Sequence, residues 1–177
     1  IKTGVAEVPP LLLGALRFLL AACPAVFFLR APKVPWQLYL AYGMTISVGQ
    51  FAFLFSAIHV GMPSGLASLV LQSQAFFTML FAALWLKESW RTSQLVGLLL
   101  AACGLALIGS AHGVSMPLLG FLLTVAAASL WAAGNIVTRA VAACGPINQL
   151  AFVVWASLVP PLPFLALSLL IEGRPAM

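Results

Sequence analysis

The chain has 177 residues, of which 63% are hydrophobic and 6% charged. A soluble domain carries about a quarter Asp, Glu, Lys and Arg, so this balance excludes a soluble enzyme, a secreted disulfide scaffold and a disordered chain together. The formal charge of +5 does not point to nucleic acid, because eight basic residues scattered without a run or a basic face make no phosphate-tracking patch.

The spacing of the charges points to a bilayer. No Asp, Glu, Lys or Arg occurs between Lys33 and Lys87, between Arg91 and Arg139, or between Arg139 and Glu172, leaving gaps of 53, 47 and 32 residues. A transmembrane helix needs about 20 apolar residues, so these gaps hold two, two and one spans. The chain begins at Ile1 and is expected to be a fragment.

In chain order, Pro9 or Pro10 opens a first helix near 9–29, since proline lacks only an N–H that a first turn leaves unpaired. Arg30-Ala-Pro-Lys33-Val-Pro35 ends it, and a second helix is expected near 36–58. The turn His59 to Gly65, with Ser64 as N-cap, leads to a third near 65–86. The polar cluster Lys87 to Ser93 precedes a fourth near 94–110. A turn through His112, Gly113 and Pro117 gives a fifth near 118–138, and Gly145-Pro146 a sixth near 147–171. The expected fold is all-α, a polytopic membrane bundle of six complete transmembrane helices. The loops after helices one, three and five carry Arg30, Lys33, Lys87, Arg91 and Arg139, while those after two and four carry no lysine or arginine, so the positive-inside rule puts the first set in the cytoplasm. Lys2 and Arg174 fall on the other side and weaken the rule without reversing it.

At an offset of 137 the chain aligns with itself, Lys2 on Arg139, Pro9 on Pro146, Pro24 on Pro161 and Phe27 on Phe164. Five helices separate the copies, an odd number, so the second copy inserts upside down. Inverted repeats that rock about a midplane site give alternating access.

Several segments resemble a known family, the EamA-type transporters of the drug/metabolite transporter superfamily. They are PLLLGALRFLL at Pro10–Leu20, GLASLVLQSQAFFT at Gly65–Thr78, LKESWRTSQLVGLLLAACGLALI at Leu86–Ile108 and GFLLTVAAASLWAAGNIVTR at Gly120–Arg139. The resemblance covers nearly the whole chain. It implies ten helices in two five-helix repeats (5+5), with 1–112 as a first repeat lacking its first helix and 117–177 as the start of the second. Through QFAFLF at Gln50–Phe55, QSQAFFT at Gln72–Thr78 and VPPLPF at Val159–Phe164 the likeness is nearest to the cysteine- and O-acetylserine-exporting members. It therefore implies a bacterial inner-membrane permease that exports small polar metabolites. An exporter of other amino acids or drugs, or a non-transporting membrane scaffold, are the competing functions. Ala75 stands where many members carry proline, so a kink there cannot be carried over from the family.

Arg17 lies roughly 12 Å into the first helix at 1.5 Å per residue, where an arginine costs at least about 2.5 kcal/mol to insert. It either meets a substrate carboxylate through two hydrogen bonds or fixes packing by snorkelling or bonding carbonyls. Neutral polar residues form helical stripes: Gly43, Ser47, Gln50 and Leu54; Gly65, Ser68 and Gln72; Thr124, Ala128, Trp131, Asn135 and Thr138. Amides donate and accept, so such a lining suits a zwitterion; the alternative is interhelical glue of roughly 0.6 kcal/mol per contact. The candidate cavity set is Ser47, Gln50, Ser68, Gln72, Trp131, Asn135 and Arg17, with Gln74, about 200° from Gln72, left at an interface.

Gly97, Ala101 and Gly104 read as a packing ridge, and Pro160, Pro161 and Pro163 as a kink or hinge in the sixth helix. Cys23, Cys103 and Cys144 lie far apart without a CxxC pair and read as small packing residues. Ser64 with His59 lacks the GxSG arrangement of a hydrolase, and Glu88 beside Lys87 and Arg91 is a salt-bridge group. No catalytic, cofactor or metal site is expected. The expected partners are a small-molecule substrate and the lipid bilayer, not nucleic acid, with a homodimer left open.

Overall fold

A computed structural model of the chain describes residues 10–110 and 116–169. Lys2, Pro9, His112, Gly113, Glu172 and Arg174, all invoked above, lie outside the described residues. Those described are all-helical, without a strand. The elements are α1 (Pro10–Val26), α2 (Trp36–Tyr42), a π-helical segment (Gly43–Gly49), α3 (Gln50–His59), α4 (Ser64–Leu71), α5 (Gln74–Trp85), α6 (Thr92–Ser110), α7 (Leu118–Ala142), α8 (Gln149–Ala156) and α9 (Pro161–Leu167).

These elements assemble into rods. Trp36–His59, Ser64–Trp85, Leu118–Ala142 and Gln149–Leu167 are each long and apolar enough to cross a bilayer, with mean hydropathy between 1.4 and 2.0. The apolar stretches described in α1 and α6 are shorter, Gly14–Val26 and Thr92–Gly104. Large apolar side chains such as Leu20, Leu99, Leu100 and Leu162 point outward, as expected where the surroundings are lipid and outward leucine costs nothing.

The central element is α7. At 25 residues it spans about 37 Å, and it buries Gly120, Thr124, Ala127, Ala128, Ala132, Gly134 and Ile136. Small residues dominate this face because helices without a hydrophobic driving force associate by close van der Waals approach. A Cβ on Gly134 would lie 2.8 Å from Ile46 Cβ, and one on Gly120 2.9 Å from Met62 Cβ. From the partner's side, a Cβ on Gly49 would lie 2.8 Å from Leu130, and one on Gly43 2.7 Å from Val159 Cβ. The π segment is thus wedged between α7 and the α8–α9 rod, with glycine at its first and last positions.

Three of the four long rods are discontinuous. The expected third helix breaks at Gln72 and Ser73 although residue 75 is alanine: the N–H groups of Gln72, Ser73, Ala75 and Phe76 each bond three residues back, tightening the chain locally. The expected sixth helix divides into α8 and α9, because Pro161 and Pro163 cannot donate to the carbonyls of Ser157 and Val159. The second carries the π segment.

Other boundaries also differ from expectation. Pro63 rather than Ser64 occupies the N-cap of α4, with an extended backbone, and no side chain caps it. His59 is the last residue of α3 instead of a loop residue. The fifth helix continues past Thr138 to Ala142, carrying Arg139 within it. The α6 ridge meets no close neighbour: a Cβ on Gly97 or Gly104 would find nothing within 4 Å. All three cysteines are exposed, so they fill no gap in the described core.

The loops sort by parity. Arg139 Nη1 donates to Glu88 Oε2 at 2.6 Å, joining the end of α7 to the loop after α5. Trp155 Nε1 donates to the Leu29 carbonyl at 2.9 Å, joining α8 to the end of α1. At the opposite end of α7, Gly61 faces Pro117. The basic loops after the expected first, third and fifth helices therefore share one end of the bundle, and the 59–63 turn lies at the other. A valine at Gly134 is expected to destabilise the protein by about 1–3 kcal/mol through overpacking, read as a lower unfolding temperature in detergent, whereas Gly97→Ala should leave it unchanged.

Candidate functional site

The breaks lie at neighbouring levels of the bundle. Leu71, just before the α4–α5 break, packs on Ala127 and Ala128, with Leu54, Phe77 and Trp131 against the same cluster. Gly49, at the end of the π segment, contacts Leu130, while Gly134 contacts Thr45 and Ile46. Gly43 meets Val159 and the Ala156 carbonyl at the α8–α9 break. Two of the irregular segments thus flank the middle of α7, and the third is reached through the π segment. Irregular backbone at membrane depth survives only where protein or a cavity replaces the missing hydrogen bonds.

Most hydroxyls of the expected polar stripes are satisfied by their own helices and have little to offer a solute. Thr124 Oγ1 donates to the Gly120 carbonyl at 2.8 Å, Thr138 Oγ1 to Gly134 at 3.0 Å and Ser68 Oγ to Gly65 at 2.7 Å. Thr45 Oγ1 returns to Ala41 at 2.6 Å. What remains is a set of amides and one serine.

Gln50 and Ser47 lie on one buried stripe, 5% and 4% exposed. The Gln50 amide makes no side-chain hydrogen bond to the described residues. Leu54, one turn further, reaches the cluster that holds Trp131. Asn135, one turn beyond Trp131, donates through Nδ2 to Gln74 Oε1 at 3.3 Å and to Thr78 Oγ1 at 3.2 Å. Ser73 Oγ, in the break itself, is buried without a hydrogen-bond partner.

Of the seven candidate residues, Ser47 and Gln50 are buried on the second rod, while Trp131 and Asn135 are half-buried on α7, Trp131 in the cluster with Leu54, Leu71 and Phe77 and Asn135 against α5. Ser68 and Gln72 are exposed on the outer side of the third rod. Gln74 sits at the α5–α7 interface. Sequence reasoning passed over Ser73 and Thr78. Thr78 was legible as the i+4 neighbour of Gln74, on the same helical face.

Arg17 is exposed on α1, and its guanidinium carbon lies 5.3 Å from the Phe51 ring centroid and 6.0 Å from that of Phe18. Phe18 stacks on Phe164 with centroids 5.9 Å apart and meets Phe51 edge-on at 5.8 Å. The charge therefore rests on aromatic faces, an arrangement worth about 0.5–1 kcal/mol at exposed sites. Among the described residues Glu88 is the one acid, and it pairs with Arg139. Phe51 packs with Ala15, Val48 and Phe164, so this aromatic group lies where α1, the second rod and α9 meet.

Outward apolar surface, glycine-mediated crossings and discontinuous apolar spans define an integral membrane protein built as a helical bundle. The chain belongs to the EamA-like transporter family, whose model matches residues 1–110. A "Probable amino-acid metabolite efflux pump" of Salmonella typhimurium (strain LT2) is 52% identical over 98% of this chain and 59% of its own length. The protein of the same name from Escherichia coli (strain K12) is 47% identical over 100% of this chain and 60% of its own length. A solved structure described as "Crystal structure of protein" superposes with a TM-score of 0.71 at 25% identity, covering 96% of this chain and 61% of that one. The chain thus spans about three fifths of these relatives.

Asn135→Ala removes both hydrogen bonds to α5 and is expected to lower stability by about 0.6 kcal/mol per lost contact, read in thermal unfolding. Gln72→Ala, on the exposed side, should leave the unfolding temperature unchanged.

Proposed function

We propose that the chain is part of an inner-membrane exporter of small zwitterionic metabolites, amino acids of the cysteine pathway such as cysteine and O-acetylserine, working by alternating access. The observation that carries this reading is the set of discontinuous spans around α7, with Gln50 buried just after the π segment and Asn135 half-buried where α7 meets α5. Discontinuous helices present backbone and amide dipoles to a solute near the midplane, and neutral amides suit a molecule without net charge. The names of the Salmonella and Escherichia relatives, efflux pumps for amino-acid metabolites, support the solute class.

In this reading Gln50 and Asn135 are the amides that meet the ammonium and carboxylate of the solute, Trp131 and Ser47 border it, and Arg17 draws the carboxylate toward the aromatic group at Phe51. Ser68 and Gln72 belong to the lining only if further helices cover the outer side of the third rod. The six helices are six spans of a ten-helix, 5+5 inverted repeat, with residues 1–112 in the first repeat and 117–177 in the second. The basic loops face the cytoplasm, by the positive-inside rule. A homodimer is compatible with the exposed apolar surface of α6.

Inverted membrane vesicles offered labelled O-acetylserine test the reading. Saturable uptake is expected, and Gln50→Ala should reduce its rate about tenfold, the loss of roughly one amide hydrogen bond to a charged group. Flux that does not saturate, or that is identical in vesicles lacking the protein, leaves a scaffold. Arg17→Lys keeps the charge but not the planar fork. It should raise the KM for the solute while the amount of folded protein stays constant.

A further inference from the structure

An open, solvent-facing cavity of about 330 Å³, lined mostly by exposed residues, lies at the basic end of the bundle, between the loop that follows α1 and the loop that joins α7 to α8. Arg30, Lys33 and Asn148 line it, together with Cys144 and Pro146, and its lining includes no acid. Among the described residues neither Arg30 nor Lys33 has an ion pair, since Glu88, the acid described, is bound to Arg139.

The walls are held from several directions. The Trp155 indole N–H donates to the Leu29 carbonyl at 2.9 Å, and the Tyr39 hydroxyl donates to the Pro32 carbonyl at 2.9 Å. Tyr39 and Tyr42 both pack on the buried ring of Phe152, with centroids 4.9 and 5.3 Å away. These contacts pin the Arg30–Lys33 turn to α8. On the other wall, Gly145 turns the chain at φ +125°, a conformation that a side chain would strain. Asn148 caps α8 by accepting the Ala151 N–H at its Oδ1, 3.1 Å away, which leaves both Nδ2 hydrogens available as donors.

Depth decides the ligand. Phe27, Phe28 and Trp36, which bracket the Arg30–Lys33 turn in sequence, are 81%, 87% and 65% exposed. An outward tryptophan such as Trp36, amphipathic through its indole N–H and placed beside lysine and arginine, marks the headgroup layer of a membrane. A cavity with two unpaired cations and amide donors at that level matches a phosphodiester anion, and basic pockets between helices at the headgroup layer are built to hold lipid phosphates.

We propose that this cavity binds the headgroup phosphate of an anionic phospholipid in the leaflet at the basic end, tying the α1–α2 turn to the α7–α8 turn. The assignment is independent of which solute the protein carries.

The purified protein is reconstituted in nanodiscs of phosphatidylcholine alone or with added phosphatidylglycerol, and thermal unfolding is followed as the anionic fraction rises. Phosphatidylglycerol is expected to raise the unfolding temperature, and Arg30→Gln/Lys33→Gln to weaken the dependence on it by about thirtyfold, roughly the loss of two surface charges. Lys87→Gln/Arg91→Gln, at the same end but outside the cavity, should weaken it much less. Equal stabilisation by phosphatidylcholine, or an equal weakening in the two double variants, overturns the proposal. So does full reproduction of the effect by inorganic phosphate in phosphatidylcholine discs, which would make this a free-anion site.

A second measurement avoids the charge variants. In a Cys23→Ser/Cys103→Ser chain, Cys144 at the cavity wall reports occupancy directly. Its maleimide labelling should slow in phosphatidylglycerol discs relative to phosphatidylcholine discs, while in a Cys23→Ser/Cys103→Ser/Cys144→Ser/Ser89→Cys chain the thiol in the loop after α5, outside the cavity, labels at the same rate in both. Unchanged Cys144 labelling overturns the proposal.

Discussion

In hydrocarbon no water is present to satisfy an N–H or C=O left over by a broken helix. Every irregularity in a spanning segment must therefore be covered by protein or turned toward a polar cavity. This constraint organises the molecule. Its most regular rod, α7, runs uninterrupted for 25 residues and presents glycine and alanine to its neighbours. The breaks are placed where that smooth face, or the π segment seated on it, can cover them.

The same constraint separates structural from functional polarity. A threonine that returns its hydroxyl to the carbonyl four residues back is self-contained, as Thr124 and Thr138 are, and can sit anywhere on a spanning helix. An amide has too many donors and acceptors to close on its own backbone. Asn135 therefore reaches across to Gln74 and Thr78, while Gln50 is buried. The polar residues with bonding capacity to spare are those beside the breaks, where the backbone has capacity to spare as well.

Charge is partitioned by depth. Arg139 and Glu88 are each about half exposed, so their contact contributes little to stability. It registers the ends of α7 and α5 at one level. Arg30 and Lys33 lie on the same end, beside outward-facing aromatic residues. Arg17, deeper along its helix, rests on Phe51 and Phe18. Aromatic faces serve a cation here where carboxylates are scarce.

The apolar gaps between charges, the loop residues and the parity of the basic loops were legible in the sequence, because a bilayer imposes length and charge rules that act on each segment by itself. Resemblance in motifs such as QSQAFFT carried the family. The break between α4 and α5 was not legible, since Gln72 and Ser73 are ordinary helix residues and it is their packing against α7 that allows the chain to tighten there. Nor could the helical wheel decide between the glutamines. It separates Gln72 from Gln74, but which of them meets Asn135 depends on the rotation of α5 about its axis, and that is set by glycines and alanines on neighbouring rods. The apolarity of a segment and the charge of its loops are local properties of the chain; the partners of a half-buried amide are a property of helix rotation, which only tertiary contact decides.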